Sequence, residues 1–376
     1  YAPVTAQQWR QSGNSFNYAA NPFETNEAGS YWPTELGAWR SLILVAPMHF
    51  TLTRDLSLHI TPYLYWGSGG SGMGQWDMPV NQYNPSTGQN ETLVLPYPGL
   101  AYDDSGTQSF HGDGYYLMRE YHPGITGHLD YKAGRHQTIS LGAFYDYYDD
   151  AEVTNISQLG PNGDPPNIWG SYGLKFPNGY EYNLFLNYHM ITQSIGLYVS
   201  DSTSWLNDRL KLNAGFKYAM MNRAGTNNYD NAVPYAVGTN YATPLPRLSG
   251  SYRIDDHNQV FFDVATNFRM PTTNSYFSGV PGNSMGIGGS VKPEFAISEE
   301  LGYRHFGLYN LTINLFNYNF TNRNIATNTI VNGSSFGGVS MNAGAQTVRG
   351  ADIEFGLRPW HHFSPYVSGE YLYART

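Results

Sequence analysis

Cysteine is missing from all 376 residues. That removes disulfides, thiolate metal sites and cysteine nucleophiles together, and it suits an oxidising compartment where stray thiols are a liability. Charge is scarce as well: 13% of residues are charged, and 20 Lys and Arg stand against 29 Asp and Glu, a net charge of −9. Scattered cations on an acidic chain cannot neutralise a run of phosphates, so nucleic acid is not expected as a partner. Long apolar runs are absent, and no window approaches the roughly 18 apolar residues of a membrane-spanning helix. Helical three-to-four spacing is nowhere sustained. The sequence opens at Tyr1-Ala2-Pro3 without an initiator Met or signal peptide and stops at Ala374-Arg375-Thr376, as expected of an internal piece of a longer polypeptide.

What the chain does hold is aromatic side chains and glycine: 32 Tyr, 19 Phe, 8 Trp and 41 Gly. This much ring surface argues against disorder. The dominant pattern is alternation. In 56–66, Leu56, Leu58, Ile60, Leu64 and Trp66 oppose Ser57, His59, Thr61, Tyr63 and Tyr65; in 260–269, Val260, Phe262, Val264 and Phe268 oppose Phe261, Asp263, Asn267 and Arg269. A period of two with one greasy and one polar face describes a β-strand buried on one side. It fits a soluble sandwich, or a membrane barrel with lipid outside and water inside. Negative mean hydropathy does not decide, because polar lumen residues and loops dilute a barrel's lipid face.

Pairing the alternating runs predicts about twelve strands in six hairpins, near 38–53/54–67, 117–132/134–148, 192–204/208–222, 245–254/258–269, 296–306/308–320 and 346–358/362–374. Each hairpin turns tightly, through Thr53-Arg54-Asp55, Leu206-Asn207-Asp208, Asp255-Asp256-His257-Asn258 or Pro359-Trp360-His361. Between hairpins the connections are long, at 68–116, 149–191, 223–244, 270–295 and 321–345, and rich in Gly, Asn, Pro and Tyr. Strict alternation of short and long connections puts every tight turn at one end of the sheet and every long loop at the other, as in outer-membrane barrels. A sandwich spreads its loops over both ends. In hydrocarbon each backbone N–H and C=O must be paired, so such a sheet closes on itself. The pattern therefore favours a transmembrane antiparallel β-barrel over a soluble all-β protein. One run fits poorly: in 308–320 the apolar set shifts from Leu311, Ile313 and Leu315 to Phe316, Tyr318 and Phe320, implying a bulge, a bend or a strand leaving the membrane.

Several segments carry a more specific signal. FFDVATNFRMPTTNSYF (261–277) is an aromatic strand ending in Phe-Arg-x-Pro, VKPEFAISEELGYRH (291–305) holds Lys-Pro-Glu before a Glu-x-Gly strand start, and LTINLFNYNFTNRNI (311–325) supplies its hairpin partner. NAGAQTVRGADIEFGL (342–357) contains Asn-x-Gly and a strand with Asp352 where Glu is usual, followed by GEYLYART (369–376). In order and spacing these resemble TonB-dependent outer-membrane receptors of the siderophore-receptor type. Further upstream, SIGLYVSDSTSWLNDRLKLNAGFKY (194–218) is similar to the family's strand, periplasmic turn and next strand, with Tyr198 and Asp201 in its Tyr-x-x-Asp. Residues 1–190 fit by pattern alone. The resemblance implies about twelve strands of a 22-stranded barrel, with residues 1–37 as an extracellular loop region and 38–376 as strands and loops. The family's plug domain, TonB box and last strands fall outside these residues.

No catalytic constellation emerges, so an enzyme is not expected. The glycine run GSGGSGMG (67–74) lacks the Lys-Ser/Thr of a phosphate loop and is read as a flexible loop root. The pairs Asp149-Asp150 and Glu299-Glu300 would point to opposite faces of a strand, and His361-His362 sits in a predicted turn; no metal or cofactor is expected. Arg247, Arg253, Asp263, Arg269, Glu300, Arg304, Asp352, Glu354 and Glu370 fall on the polar face of neighbouring strands, a wall suited to lateral pairing and plug contact. Ligand binding is expected instead among the loop aromatics Trp76, Tyr83, Tyr97, Tyr102, His111, Tyr115, Tyr116, Trp169, Tyr172, Tyr229, Tyr235, Tyr241, Tyr276 and Phe277. Their flat faces and polar tips suit bulky, partly polar ligands. The expected function is uptake of a ferric siderophore, or of cobalamin, haem or an oligosaccharide, with outer-membrane lipid and TonB as partners. The remaining readings are a structural or assembly barrel whose loops bind protein, and a soluble β-rich carbohydrate-active enzyme.

Overall fold

The computed structural model describes Arg10 and residues 32–170, 172–229, 236–277, 291–331, 334–359, 361 and 363–376. Most of the 1–37 loop region, together with Tyr235 and His362, lies outside the described residues. In chain order the strands are β1 (Gly37–Val45), β2 (Met48–Thr51), β3 (Leu56–Pro79), β4 (Asn81–Asn84), β5 (Gln89–Thr92), β6 (Tyr102–Asp104), β7 (Thr107–Lys132), β8 (Gln137–Gln158) and β9 (Asn183–Trp205). They continue as β10 (Leu210–Asn227), β11 (Ala236–Arg253), β12 (Asn258–Arg269), β13 (Glu294–Phe306), β14 (Tyr309–Thr321), β15 (Asn324–Val331), β16 (Ser334–Asn342), β17 (Gln346–Leu357) and β18 (Tyr366–Arg375). Between β12 and β13 lies a single helical turn, α1 (Thr273–Phe277).

Twelve strands follow one another in the order β1-β3-β7-β8-β9-β10-β11-β12-β13-β14-β17-β18; β2 and β6 join the same sheet by pairing with β3 and β7. Every pairing is antiparallel. Among the described residues the sheet is open between β1 and β18. The two small hairpins β4–β5 and β15–β16 stand apart within the long connections. All six predicted hairpins are present with their tight turns at one end. Leu206, Asn207 and Asp208 turn through three consecutive left-handed residues, with φ of 55°, 56° and 62°, and Ser204 Oγ donates to Asp208 Oδ1 at 2.6 Å. At the next turn Ile254 N donates to Asn258 O at 2.8 Å, while Asp255 Oδ1 accepts from His257 N at 2.8 Å.

Three expectations change. The first predicted strand breaks into β1 and β2 around Ala46-Pro47, where proline has no N–H to give the ladder. From β3 to β11 the strands also run well past the predicted ends, so that the first three connections shrink to 80–106, 159–182 and 228–235, while the last two, 270–293 and 322–345, stay within two residues of expectation. The glycine run at 67–74 is therefore not a loop root but part of β3. Glycine is needed there because neighbouring backbone comes very close: a Cβ on Gly70 would stand 1.8 Å from the Tyr116 carbonyl oxygen on β7, and one on Gly72 2.0 Å from that of Thr34. Finally, the shift at 308–320 is no bulge, since β14 keeps one register with β13 from Thr321 to Asn310 and with β17 throughout. Phe316 and Tyr318 simply sit on the polar face, stacked at 5.1 Å, and the Tyr318 hydroxyl donates to Glu300 Oε1 at 2.6 Å.

Register sorts the faces. Leu141, Val199 and Phe216 lie side by side across β8, β9 and β10; Phe262, Leu301 and Leu315 do so across β12, β13 and β14. These side chains are open to the surroundings: Leu141 is 60% exposed, Leu197 53% and Leu301 59%. A belt of exposed Leu, Ile, Val and Phe this long exceeds any patch a soluble monomer keeps in water, and it matches the lipid-facing band of a membrane barrel. The buried clusters lie at the long-loop end. One gathers Val80, Leu93, Phe110, Ile156, Leu174, Phe176 and Leu184; the other joins Tyr188, Met190, Met270 and Tyr276.

Candidate functional site

The motif-bearing segments meet at the rim where strands give way to long loops. Arg223, on β10, donates from Nε to Thr192 Oγ1 at 2.8 Å and from Nη1 to the Pro271 carbonyl at 2.5 Å, and its guanidinium lies 5.3 Å from the Tyr276 ring centre. Pro271 thus ends β12 where its missing N–H costs nothing, while its carbonyl is held by a charged donor. The Glu of Lys-Pro-Glu, Glu294, is 6% exposed. Its carboxylate accepts from Arg323 Nη1 at 2.5 Å and from Asn324 N at 3.0 Å, so that it pins the start of the β15–β16 hairpin. Asn342, from Asn-x-Gly, closes the ring. Its Oδ1 accepts from Lys292 N at 2.8 Å, and its Nδ2 donates to the carbonyls of Lys292 at 3.0 Å and Asn322 at 2.9 Å. The sequence showed these motifs without their purpose, which is a polar lock on loop roots.

Below the rim, register places Arg247, Arg253, Asp263, Arg269, Glu300, Arg304, Asp352, Glu354 and Glu370 on the face opposite the apolar belt. Their pairings differ. Arg247 donates from Nε and Nη2 to Asp263 Oδ2 at 3.1 and 2.7 Å. Glu300 takes the Tyr318 hydroxyl and, at 3.3 Å, the Asn314 amide, whereas Arg304 stacks over Phe261 at 4.1 Å. Asp352 lies directly across from Glu370, two like charges side by side.

The loop aromatics divide into open and enclosed groups. Trp76 is on β3, His111, Tyr115 and Tyr116 on β7, and Tyr241 on β11, all on strand extensions and not in loops. Tyr115 is 2% exposed and Tyr276 is fully buried, so both rings serve packing; the Tyr115 hydroxyl donates to the Ile168 carbonyl. Tyr241 donates to the Val291 carbonyl at 3.4 Å and Tyr229 to that of Leu184 at 2.9 Å. Tyr102 stacks on His111 at 4.5 Å, and the His111 ring is 2.5 Å from Asp77 Oδ1. Burial, reinforced by Asp77, pushes the Tyr102 phenol up to about 12, so its hydroxyl stays a donor at any physiological pH. Tyr83, Tyr97, Trp169 and Tyr172 remain open; Arg40 lies between Trp66 at 5.5 Å and Trp169 at 5.4 Å. Phe277 belongs to α1.

One pocket at this end, about 140 Å³, is lined by Gln82, Tyr83, Phe176, Tyr180, Glu181, Tyr182 and Tyr229. That is smaller than the roughly 300–1,000 Å³ of small-molecule sites. Asp113 on β7 is 2% exposed, and among the described residues its Oδ1 has no hydrogen-bond partner. Burial, with Glu35 close by, pushes this carboxyl up to about 8.

An antiparallel sheet with a lipid belt, a polar inner face, tight turns at one end and long aromatic loops at the other has the architecture of an outer-membrane β-barrel. The chain belongs to the family of TonB-dependent receptor-like β-barrels, whose family model matches residues 4–376; it is an outer-membrane protein, and the family is one of receptors and transporters. No curated protein matches the chain in sequence. Among solved structures it is similar to the ferric yersiniabactin uptake receptor FyuA from Yersinia pestis, with TM-score 0.53 and 14% identity over 90% of this chain and 42% of that one. The ferric-catecholate import receptor Fiu from K12 E. coli gives 0.53 and 13% over 96% and 53%. The copper transporter OprC gives 0.55 and 9% over 91% and 54%. At these identities the likeness is one of fold, and the chain spans about half the length of the structures it matches.

Proposed function

We propose that this chain is part of an outer-membrane receptor that captures a ferric siderophore on its long-loop face and imports it when TonB pulls on a plug inside the barrel. The observation that carries the reading is the segregation of the sheet: tight turns at one end, and at the other exposed rings of Tyr83, Tyr97, Trp169 and Tyr172 above a locked rim. Ferric chelates are the cargo named for FyuA and Fiu, whose fold this chain shares. Open aromatic faces with polar tips suit such chelates, and binding requires no covalent chemistry. In this reading the whole barrel has 22 strands, residues 1–37 form an extracellular loop, and the polar wall from Arg247 to Glu370 contacts the plug.

The test is a binding screen of the intact receptor in detergent against ferric siderophores, haem, cobalamin and copper. Saturable binding of an iron chelate, weakened by replacing Trp169 and Tyr172 with alanine, supports the proposal. Binding of haem, cobalamin or copper with none of an iron chelate overturns the choice of cargo.

A further inference from the structure

Near the tight-turn end of the polar face, three imidazoles form a row across adjacent strands. His49 on β2 lies directly opposite His59 on β3, and His59 directly opposite His128 on β7. The rings stack, with centroids 4.4 Å and then 4.6 Å apart. Asp130 is two residues further along β7, and so on the same face as His128. Its Oδ1 accepts from Ser140 Oγ on β8 at 2.5 Å, which turns Oδ2 toward the two rings, 3.6 Å from His59 Nε2 and 3.5 Å from His128 Nε2.

We propose that His59, His128 and Asp130 bind a divalent transition-metal ion of the zinc class. The spacing carries the argument. Both nitrogen–oxygen separations exceed the roughly 2.7–3.2 Å of an N–H···O hydrogen bond, so Oδ2 is not simply accepting a proton from either ring. The two distances match the edge of a tetrahedron around one ion, since bonds of about 2.0–2.2 Å place neighbouring ligand atoms about 3.4 Å apart; the two rings, 10° from parallel, would rotate on their side chains to aim both Nε2 lone pairs at it. All three candidate ligand atoms lie within 4.8 Å of one another. Two imidazoles and one carboxylate suit zinc, nickel, copper(II) or iron(II), whereas calcium and magnesium prefer oxygen donors.

The surrounding groups fit that role. Ser140 fixes the carboxylate from behind, as a positioning residue does for a metal ligand. His59, Asp130 and His128 are 36%, 25% and 34% exposed, enough for an ion to enter from the lumen and keep water as its fourth ligand. Bound there, the ion would tie β3 to β7. The site is remote from the long-loop aromatics, so it stands or falls independently of the cargo.

The test titrates the intact receptor, stripped with chelator and held in detergent, with Co²⁺ as a spectroscopic stand-in and Zn²⁺ as competitor. The expected result is one saturable equivalent with the intense visible absorption of tetrahedral Co²⁺, displaced by Zn²⁺. His128→Gln, His59→Gln and Asp130→Asn, each alone and each checked for folding by heat-modifiable gel migration, should abolish the spectrum. Ser140→Ala should weaken binding about tenfold or more, and His136→Gln in a tight turn should leave it unchanged. No saturable equivalent, or a spectrum that persists in any folded His128, His59 or Asp130 variant, overturns the proposal.

Discussion

Asp113→Asn should change how the long-loop end of β7 responds to pH, and the size of the change follows from where the side chain sits. From Lys132 at the tight turn back to Asp113, β7 covers about 60 Å along the strand, or about 50 Å along the membrane normal at a tilt near 40°. Asp113 therefore lies beyond a hydrocarbon core about 30 Å thick. Burial, with Glu35 close by, pushes the carboxyl from the usual 3.8 up to about 8. Because the folded value is raised, the folded state keeps a proton that the opened state has lost between those values. Stability contributed by the neutral acid is thus full below about pH 4 and is lost as pH rises to 8. A rise of this size amounts to about 6 kcal/mol at most, each tenfold change in proton affinity being about 1.4 kcal/mol. Hydrogen exchange of the amides in 107–118, corrected for the intrinsic pH dependence, should show protection falling about tenfold per pH step between pH 5 and 7. In Asp113→Asn the profile should be flat and protection at pH 8 higher than in the parent. The same slope in both proteins would refute the reasoning.

Three further outcomes are expected. Arg323→Ala leaves the Glu294 carboxylate buried without its cation and should cost about 3–5 kcal/mol in denaturant unfolding of the receptor, while Arg323→Lys should recover part of it. Gly70→Ala forces a methyl group against the Tyr116 carbonyl and should cost about 1–3 kcal/mol, read as a lowered unfolding midpoint. For Arg247 and Asp263, with the arginine 65% exposed, a double-mutant cycle should return a coupling below about 1 kcal/mol that fades with salt.

The hairpins were legible in the sequence because a membrane makes them so: lipid-facing positions must be apolar while lumen positions are mostly polar, which leaves a period of two over 56–66 and 258–269. Above the membrane that constraint ends, and the same strands continue through Gly69, Gly70, Asp113 and Asn155, residues with poor strand propensity. Ladder pairing with a neighbour holds these extensions, and no local pattern announces it. Hence Trp76, His111, Tyr115, Tyr116 and Tyr241 read as loop residues and are on strands. Lys-Pro-Glu and Asn-x-Gly stood out as motifs, but their shared purpose needed Lys292 beside Asn342 and Glu294 beside Arg323, contacts made across the β14–β17 connection. The His59, His128 and Asp130 group was hidden for the same reason: His59 is far in sequence from the His128–Asp130 pair, and only register brings it opposite His128.

In the proposed orientation all tight turns face the periplasm and all long connections face outward, and because these 376 residues hold no cysteine, single cysteines placed among them can report it. Single cysteines at Asn162, in the connection after β8, and at Asp256, in the β11–β12 turn, can be labelled with a membrane-impermeant maleimide on intact cells. The account predicts labelling of Asn162→Cys without treatment, and of Asp256→Cys only after the outer membrane is permeabilised. The reverse order, or equal labelling of both on intact cells, would contradict it.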